Sequence, residues 1–319
     1  MSRPERILAL CGGVGGAKLV LGLSHILEGD NLTIAVNTGD DFEHLGLRIC
    51  PDIDTVTYTL AGIVNPETGW GRANESGHFM EALADLGGEG WFYLGDRDLA
   101  LHVERSRRLG VGEKLDSVTA DIARRLGINA RILPMSNDPV ATRVETPGGT
   151  LAFQHYFVRE RCEPPVTGFH FAGIEHAHPH PDLLGALTDD SLSAVIICPS
   201  NPFVSVAPIV SLPGVRQALR ACSAPVIAVS PIVGGQAVKG PTAKMMKELG
   251  LEASSVVVLK QYADFVDAFV IDRRDQGCLE EIRTLIELVE VTDTLMVDGA
   301  SKVALAEKVL DFARRCRRR

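Results

Sequence analysis

Short apolar segments rich in β-branched residues alternate with amphipathic segments along this chain of 319 residues. The alternation is typical of βαβ units, in which helices join the strands of a parallel sheet. The apolar segments are almost free of polar residues, which indicates strands covered by other elements on both faces. Five such segments predict strands: Ile7–Cys11, Leu32–Val36, Ala194–Cys198, Val226–Val229 and Val256–Leu259.

Helices are predicted where apolar residues recur three and four positions apart. Phe79, Leu83 and Leu86 lie on one face in this way. The predicted helices are Ala17–Leu27, Val56–Leu60, Phe79–Leu86, Leu99–Leu109, Leu115–Leu126 and Val303–Ala313. The order of elements predicts an α/β fold, a Rossmann-like, mostly parallel sheet flanked by helices.

The middle of the chain follows a different pattern. Thr142–Val158 contains a turn, Pro147-Gly148-Gly149, between two segments that resemble the strands of a hairpin. We therefore expect one enzyme domain over residues 1–319, in which residues 55–190 form a smaller, inserted α+β elaboration that acts as a cap over the site.

Composition and charge narrow the class of protein. The content of hydrophobic residues is 45%, the net charge is −9 and the pI is near 5.5, which argues against a nucleic-acid surface. No apolar stretch approaches the length of a membrane span. Seven dispersed cysteines without a CxxC pair fit a reduced compartment, so a cytoplasmic protein is expected.

A glycine-rich turn follows the first predicted strand: Gly12, Gly13, Val14, Gly15, Gly16, Ala17 and Lys18. A strand, such a turn and a helix direct backbone N–H groups and the positive helix end toward one point, which favours a phosphate. The dinucleotide motif GxGxxG fails because Lys18 stands where its third glycine belongs, and the P-loop GK[ST] is also absent. The alternative is a tight turn without a ligand.

Polar residues follow the second predicted strand. Thr38, Asp40 and Asp41 belong to the loop Asn37–Asp41, which leaves the same edge of a parallel sheet as the glycine turn. Two carboxylates beside a phosphate repel it unless a cation intervenes, so Mg²⁺ is the natural partner. A solvated turn is the alternative. Asp54, just before the predicted helix Val56–Leu60, is interpreted as either an N-cap or a metal ligand.

Other loops add binding candidates: Trp70, Arg97, Ser200, Asn201, Gly234, Gly235 and Lys239. Lys239 precedes a predicted helix start at Pro241, where it could meet a second phosphate. Arg97, between Asp96 and Asp98, could instead be a structural ion-pair node. The three histidines in Glu175–Asp182 are interpreted as a solvent-exposed loop rather than a metal site.

In order, these motifs resemble the 2-phospho-L-lactate transferase family from about residue 7 to beyond residue 245. The matching segments are Gly12–Lys18, Asn37–Asp41, Gly46–Thr55, Gly69–Gly71, Leu94–Asp98, Pro199–Pro202 and Ser230–Gly235. Seven ordered motifs are far more specific than any one of them.

The resemblance implies a step in the biosynthesis of coenzyme F-420. Such enzymes, including phosphoenolpyruvate variants, transfer a phospho-acyl group from a guanosine diphosphate-linked three-carbon acid to the deazaflavin Fo and release GMP. It implies Mg²⁺ held by Asp40 and Asp54, with Asp40 or Asp41 as acceptor of the hydroxyl proton. Whether lactate, enolpyruvate or glycerate is transferred stays open.

By the same resemblance, Asp40 and His78 would lie near Fo, and Trp70 would either stack on its ring or be a core residue. A homodimer is expected, with small molecules as the only other partners. The alternative function is that of a sugar-nucleotide-binding regulator of the same fold without enzymatic activity. A dinucleotide dehydrogenase ranks third because of the broken GxGxxG motif.

Overall fold

A computed structural model describes residues 5–238 and 240–316, and a seven-stranded parallel sheet forms its centre, in the order β14-β13-β10-β9-β1-β2-β5. Three small antiparallel sheets accompany it: β3-β4, β11-β12 and β7-β6-β8. The strands are β1 Arg6–Cys11, β2 Leu32–Val36, β3 Phe42–His44, β4 Leu47–Ile49, β5 Arg131–Pro134, β6 Ala141–Thr146, β7 Gly149–Ala152, β8 Gly168–Ala172, β9 Leu192–Ile197, β10 Val226–Val229, β11 Ile232–Val233, β12 Gln236–Ala237, β13 Ala268–Asp272 and β14 Leu288–Thr292.

Helices cover both faces of the central sheet. They are α1 Gly13–Ile26, α2 Pro51–Leu60, α3 His78–Asp85, α4 Asp96–Gly110, α5 Leu115–Arg125, α6 Pro181–Leu187, α7 Ala207–Val210, α8 Val215–Ala221, α9 Thr242–Glu248, α10 Ser255–Tyr262, α11 Leu279–Arg283 and α12 Gly299–Cys316. None of the helices within the described ranges is long and apolar enough to cross a membrane.

Strand β1 shows why the central strands are so apolar. Ile7 and Ala9 pack against α1 and α12 on one face, whereas Leu8 and Leu10 pack into a second core on the other face. Every second side chain of a strand points to the opposite face, so two covered faces require a continuous apolar run. The α/β fold predicted from these runs is confirmed.

The chain changes direction across the sheet at β1. From β1 it continues to β2 on one side, whereas the later strand β9 lies on the other side of β1. Ligands of open α/β sheets bind outside the carboxyl ends of the strands at such a switch point. The loops after β1 and β9 therefore border the crevice where a ligand is expected.

Four of the five predicted strands are confirmed as β1, β2, β9 and β10. The fifth is wrong, because Val256–Leu259 lies within helix α10. The Ser254 side chain accepts a hydrogen bond from the Val257 N–H and caps this helix. A short apolar run fits a buried strand and a buried helix equally well, so the pattern alone could not decide.

The predicted hairpin in Thr142–Val158 is confirmed by β6 and β7, and β8 pairs with the other edge of β6. Strand β5 lies within residues 55–190, the predicted insertion, yet it pairs with β2 as an edge strand of the central sheet. The rest of that range holds α3 to α6 and the β7-β6-β8 sheet.

Two predicted helix starts are displaced. Helix α2 begins at Pro51 and not at Val56, so Asp54 lies inside its first turn and the N-cap alternative for Asp54 is wrong. Helix α9 begins at Thr242, with Pro241 as its N-cap. The nearby Lys239, predicted to meet a phosphate, lies outside the described residues.

Candidate functional site

A cavity of about 400 Å³ opens at the carboxyl ends of β1, β9 and β10, at the switch point of the sheet. Loops after these strands, the start of α2 and the segment between α3 and α4 all contribute to its walls. The predicted site residues that line it are Gly12, Gly13, Gly15, Lys18, Asp40, Asp54, Trp70, Ser200 and Asn201. The strand-end loops predicted from the sequence therefore do converge.

The glycines of the turn meet two different requirements. Gly13 has a φ of +65°, the left-handed region that favours glycine. A Cβ on Gly15 would lie 2.3 Å from the carbonyl oxygen of Pro199, and one on Gly16 would lie 2.7 Å from Ser200 Oγ. At Gly15 and Gly16 the missing side chain lets the loops after β1 and β9 pack together, a role separate from the predicted phosphate contact.

Ser200 and Asn201 hold the loop after β9 in place. Ser200 Oγ donates to the carbonyl oxygen of Gly12 at 2.8 Å and accepts from its N–H at 3.3 Å. The Asn201 side-chain oxygen accepts the N–H of Phe203 at 2.9 Å. These contacts fix the loop against the glycine turn, with both residues in the cavity wall.

Asp52, absent from the predicted site residues, is a buried carboxylate in the cavity wall. Its Oδ1 accepts the N–H of Gly13 at 2.7 Å, and its Oδ2 accepts from the Asn37 amide at 2.9 Å. Burial raises the pKa of Asp52 to about 6, although the hydrogen bonds from Asn37 and Gly13 oppose the rise. An acidic group thus occupies the start of α1, where a phosphate was expected.

Asp40 is the second buried carboxylate of the wall. Its side-chain atom Oδ1 is buried and has no hydrogen-bond partner among the described residues. Burial, and then the charge of Asp52, raises its pKa well above the ordinary value. Because only 6% of Asp40 and of Asp41 is exposed, the alternative of a solvated turn is wrong.

Asp41 lies behind the cavity wall and does not line it. Its Oδ2 accepts from the Arg48 guanidinium at 3.3 Å. Burial raises the pKa of Asp41 to about 7, against the opposing charge of Arg48. Thr38, also outside the wall, accepts the N–H of Asp41 at its carbonyl oxygen.

Asp54 faces a buried cation. Its Oδ1 contacts Arg105 Nη2, and its Oδ2 accepts from Arg105 Nη1 at 3.1 Å. The Arg105 side chain is only 2% exposed, so this is a buried ion pair. Arg105 thereby balances the charge of Asp54, whereas Oδ1 of Asp40 has no hydrogen-bond partner among the described residues. The metal role of Asp54 stays a prediction, and it would require Asp54 to share its carboxylate with Arg105.

Aromatic side chains form another part of the wall. Trp91 packs edge-on against Phe92, at 5.8 Å between ring centroids, and against His155, at 4.7 Å. Trp70 also lines the cavity and is 54% exposed, so the alternative of a core tryptophan is wrong. The aromatic residues of the wall are Tyr58, Trp70, Trp91, Phe92, Tyr93, Phe153 and Phe157.

Arg97 and His78 lie outside the cavity wall. Arg97 is exposed, and its neighbours have other partners, because Asp96 accepts the N–H of Phe79 at 2.9 Å and Asp98 accepts from Tyr58. His78, at the start of α3, has an 83% exposed side chain 3.6 Å from the carboxylate of Glu81. The structure does not bring either residue to the predicted site.

The loop after β10 also has an internal partner. The N–H groups of Gly234 and Gly235 donate to the Asp275 carboxylate at 3.0 and 3.1 Å, and both glycines lie outside the wall.

Lys18, which follows the glycine turn in α1, lines the cavity and donates to the carbonyl oxygen of Met296 at 2.8 Å.

Within residues 5–238 and 240–316, no three histidine, cysteine or acidic side chains form a group that could hold a metal by themselves. In the histidine loop, His176 and His178 are exposed as expected. His180, in contrast, is buried: its ring accepts the Asp182 N–H and caps α6, and its Nε2 lies 3.2 Å from Asp116.

The fold and the site define an α/β protein with a cavity of glycines, carboxylates and aromatic rings at the switch point of a parallel sheet. The chain matches the family described as 2-phospho-L-lactate transferase CofD over residues 7–307, and it belongs to that family. The predicted resemblance is thus confirmed.

Curated relatives cover nearly the whole chain. A phosphoenolpyruvate transferase of Streptomyces griseus subsp. griseus is 38% identical over 318 residues, which are 98% of this chain and 99% of the relative. A 2-phospho-L-lactate transferase of Methanosarcina barkeri is 40% identical over 304 residues, 95% of this chain and 97% of the relative. Both kinds of transferase are therefore similar to this chain.

Among solved structures, a UPF0052 family protein of Bacillus halodurans superposes with a TM-score of 0.64. The match covers 97% of this chain and 100% of that chain at 13% sequence identity. At such low identity the likeness concerns the fold alone.

Proposed function

We propose that this protein transfers a phospho-acyl group from a guanosine diphosphate-linked three-carbon acid to the deazaflavin Fo and releases GMP. The observation that carries the proposal is a single cavity that combines a glycine-turn edge, buried carboxylates and an aromatic wall. Such a cavity suits a nucleotide on one side and a flat ring on the other. The names of the relatives support both lactyl and enolpyruvyl donors.

In this reaction, the terminal hydroxyl oxygen of Fo forms a bond to the phosphorus next to the three-carbon acid. The bond from that phosphorus to the bridging oxygen of GMP breaks, and the hydroxyl proton leaves. Phosphoryl transfer depends mainly on positioning and on neutralisation of charge. The first two turns of α1, with Gly15 and Lys18, would receive the departing phosphate.

Mg²⁺ fits the carboxylates of the wall. Asp40 has a buried oxygen without a partner, and Asp52 raises the pKa of Asp40 through its charge. We therefore assign Asp40 and Asp52 to the cation. Asp52 replaces Asp54 because the oxygens of Asp52 accept only from the neutral donors Gly13 and Asn37, whereas Arg105 already balances the charge of Asp54. When bound, Mg²⁺ would neutralise phosphate charge beside these carboxylates.

Asp40 is also the better candidate for acceptor of the hydroxyl proton. Of the two residues considered, Asp40 lines the cavity and Asp41 does not. A general base must come within hydrogen-bond distance of the proton it takes. Trp70 and Trp91 would enclose the deazaflavin ring.

The homodimer and the cytoplasmic location stay predictions of the sequence.

Incubation of the protein with Fo, Mg²⁺ and each of three donors, lactyl, enolpyruvyl or glyceryl, tests the proposal. We expect release of GMP and a phosphodiester of Fo with at least one donor. Loss of release in EDTA and its recovery with Mg²⁺ would support the assigned cation. Nucleotide binding without GMP release from any donor would instead favour a regulator of the same fold.

A further inference from the structure

Asp98 is a carboxylate of the cavity wall that the reaction described above does not use. It lies in the first turn of α4, and its side chain is 17% exposed. Glu75 accepts the N–H of Asp98 at 2.8 Å and the N–H of Arg97 at 2.7 Å. These two hydrogen bonds fix the backbone that carries the Asp98 side chain.

One oxygen of Asp98 lies against two buried side chains. The Tyr58 hydroxyl donates to Oδ1, and His102 Nε2 lies 3.2 Å from the same oxygen. Within the described part of the chain, no residue donates a hydrogen bond to Oδ2. Asp98 therefore combines one anchored oxygen with a second that is open to a ligand.

Further buried side chains lie on the other side of His102. His102 Nδ1 lies 3.7 Å from Asp54 Oδ2, and Asp54 pairs with Arg105. Tyr58, His102 and Arg105 are all almost completely buried. A side chain supported by such a row of packed groups keeps its position when a ligand binds.

The lowered pKa of Asp98 suits a hydrogen-bond acceptor better than a general base. Burial disfavours the carboxylate form, but His102 and Tyr58 outweigh that effect and hold the pKa of Asp98 below its usual value. A carboxylate that stays ionised accepts hydrogen bonds from hydroxyl groups without taking their protons. The role that remains is to orient a ligand.

The aromatic residues that line the cavity together with Asp98 indicate which kind of ligand Asp98 binds. Trp91, Phe92 and Tyr93 line the same cavity and precede α4 by only a few residues. Aromatic rings and a carboxylate acceptor in the wall of one cavity suit a flat ring that carries a chain of hydroxyl groups. Fo is an acceptor of this chemical class.

Resting on the proposed function, we propose that Asp98 binds hydroxyl groups in the polyol chain of the acceptor and so positions the terminal hydroxyl, while Tyr58 and His102 orient its carboxylate. On this assignment the donor, bound at the glycine turn, has no contact with Asp98. Loss of Asp98 should therefore affect the acceptor and leave the donor side unchanged.

The test compares the full chain with Asp98→Asn, Tyr58→Phe and, as a matched control, Glu104→Gln, an exposed change on the same helix. We expect Asp98→Asn to raise the KM and the Kd for Fo about 10- to 100-fold, the range for hydrogen bonds to charged groups. Tyr58→Phe should raise them less. The KM for the donor should stay within about twofold in all variants.

A second measurement uses an Fo analogue that lacks one hydroxyl of the polyol chain. Asp98→Asn should reduce the preference of the enzyme for Fo over this analogue. An unchanged KM for Fo in Asp98→Asn would overturn the proposal. An equal rise in the KM for Fo and in the KM for the donor, together with a lower Tm, would overturn it as well. Failure of the wild-type chain to release GMP would overturn the proposed function itself.

Discussion

Asp52 Oδ1 accepts the N–H of Gly13 over 2.7 Å, which joins the start of α2 to the start of α1. A negative group at this position is favourable to the α1 dipole, yet it repels a phosphate bound at the same turn. A cation held by Asp52 would remove the conflict. The contact of Asp52 with Gly13 therefore favours a site that binds a phosphate together with a cation.

Asp52→Asn is the first test of this relationship. The Asn side chain can still accept the Gly13 N–H, but it loses the hydrogen bond from Asn37 and removes one of the two charges assigned to Mg²⁺. We expect the Mg²⁺ concentration for half-maximal activity to rise at least tenfold, and the Tm to fall because of the lost buried hydrogen bond. Titration of activity against Mg²⁺ measures it. A variant with the wild-type Mg²⁺ requirement would remove Asp52 from the metal site.

Asp54→Asn should act on stability instead. It leaves the buried guanidinium of Arg105 without its carboxylate, and breaking a buried pair in this way costs about 3–5 kcal/mol. Urea unfolding gives the free energy of unfolding. A double variant, Asp54→Leu with Arg105→Met, should be more stable than Asp54→Asn, because neither member of the buried pair is left without its partner. Normal stability together with a lost Mg²⁺ response would return Asp54 to the metal site.

Asp40→Asn should reduce kcat at least 100-fold, since it removes both a metal charge and the proton acceptor. Its fold should stay intact, because Asn has nearly the same shape and lacks the charge that burial disfavours. Circular dichroism and GMP release test the two statements. Glu43→Gln, an exposed change on β3, is the matched control. Near-normal turnover in Asp40→Asn would refute the assigned role.

Asp41→Asn tests a pH dependence. The pKa of Asp41 is about 7 in the folded protein, above the ordinary value of 3.8. As the pH rises from about 4 to 7, the unfolded chain loses this proton first, so the carboxylate progressively destabilises the fold. In EDTA, the variant should be more stable than wild type by about 1–3 kcal/mol at pH 8 and similar at pH 4. If the variant and the wild type were equally stable at pH 4 and equally stable at pH 8, the raised pKa of Asp41 would be contradicted.

Gly15→Ala tests the packing of the two loops. Its Cβ would lie 2.3 Å from the backbone oxygen of Pro199, so one loop must move. We expect the donor KM to rise more than the Fo KM, because the glycine turn is assigned to the nucleotide. Gly185→Ala, inside α6 where a Cβ meets nothing within 4 Å, should be neutral or slightly stabilising. Similar kinetics in both variants would contradict this assignment.

Four strands, the α/β class and the loops that border the cavity could be predicted from the sequence. Their signals are local: continuous apolar runs mark strands covered on both faces, and the polar residues after them fall at one edge of a parallel sheet. The same local signals misassigned Val256–Leu259, since four apolar residues do not carry a period.

Contacts between distant segments could not be predicted. Asp52 and Asp54 stand two residues apart, and no pattern states that one faces Gly13 and the other Arg105, 51 positions along the chain. The aromatic wall and the anchored carboxylate of Asp98 depend equally on how α2 and α4 approach each other. A sequence shows which side chains could do chemistry at this edge of the sheet. Which of them face the cavity, and which are neutralised by a buried partner, is decided by packing in three dimensions.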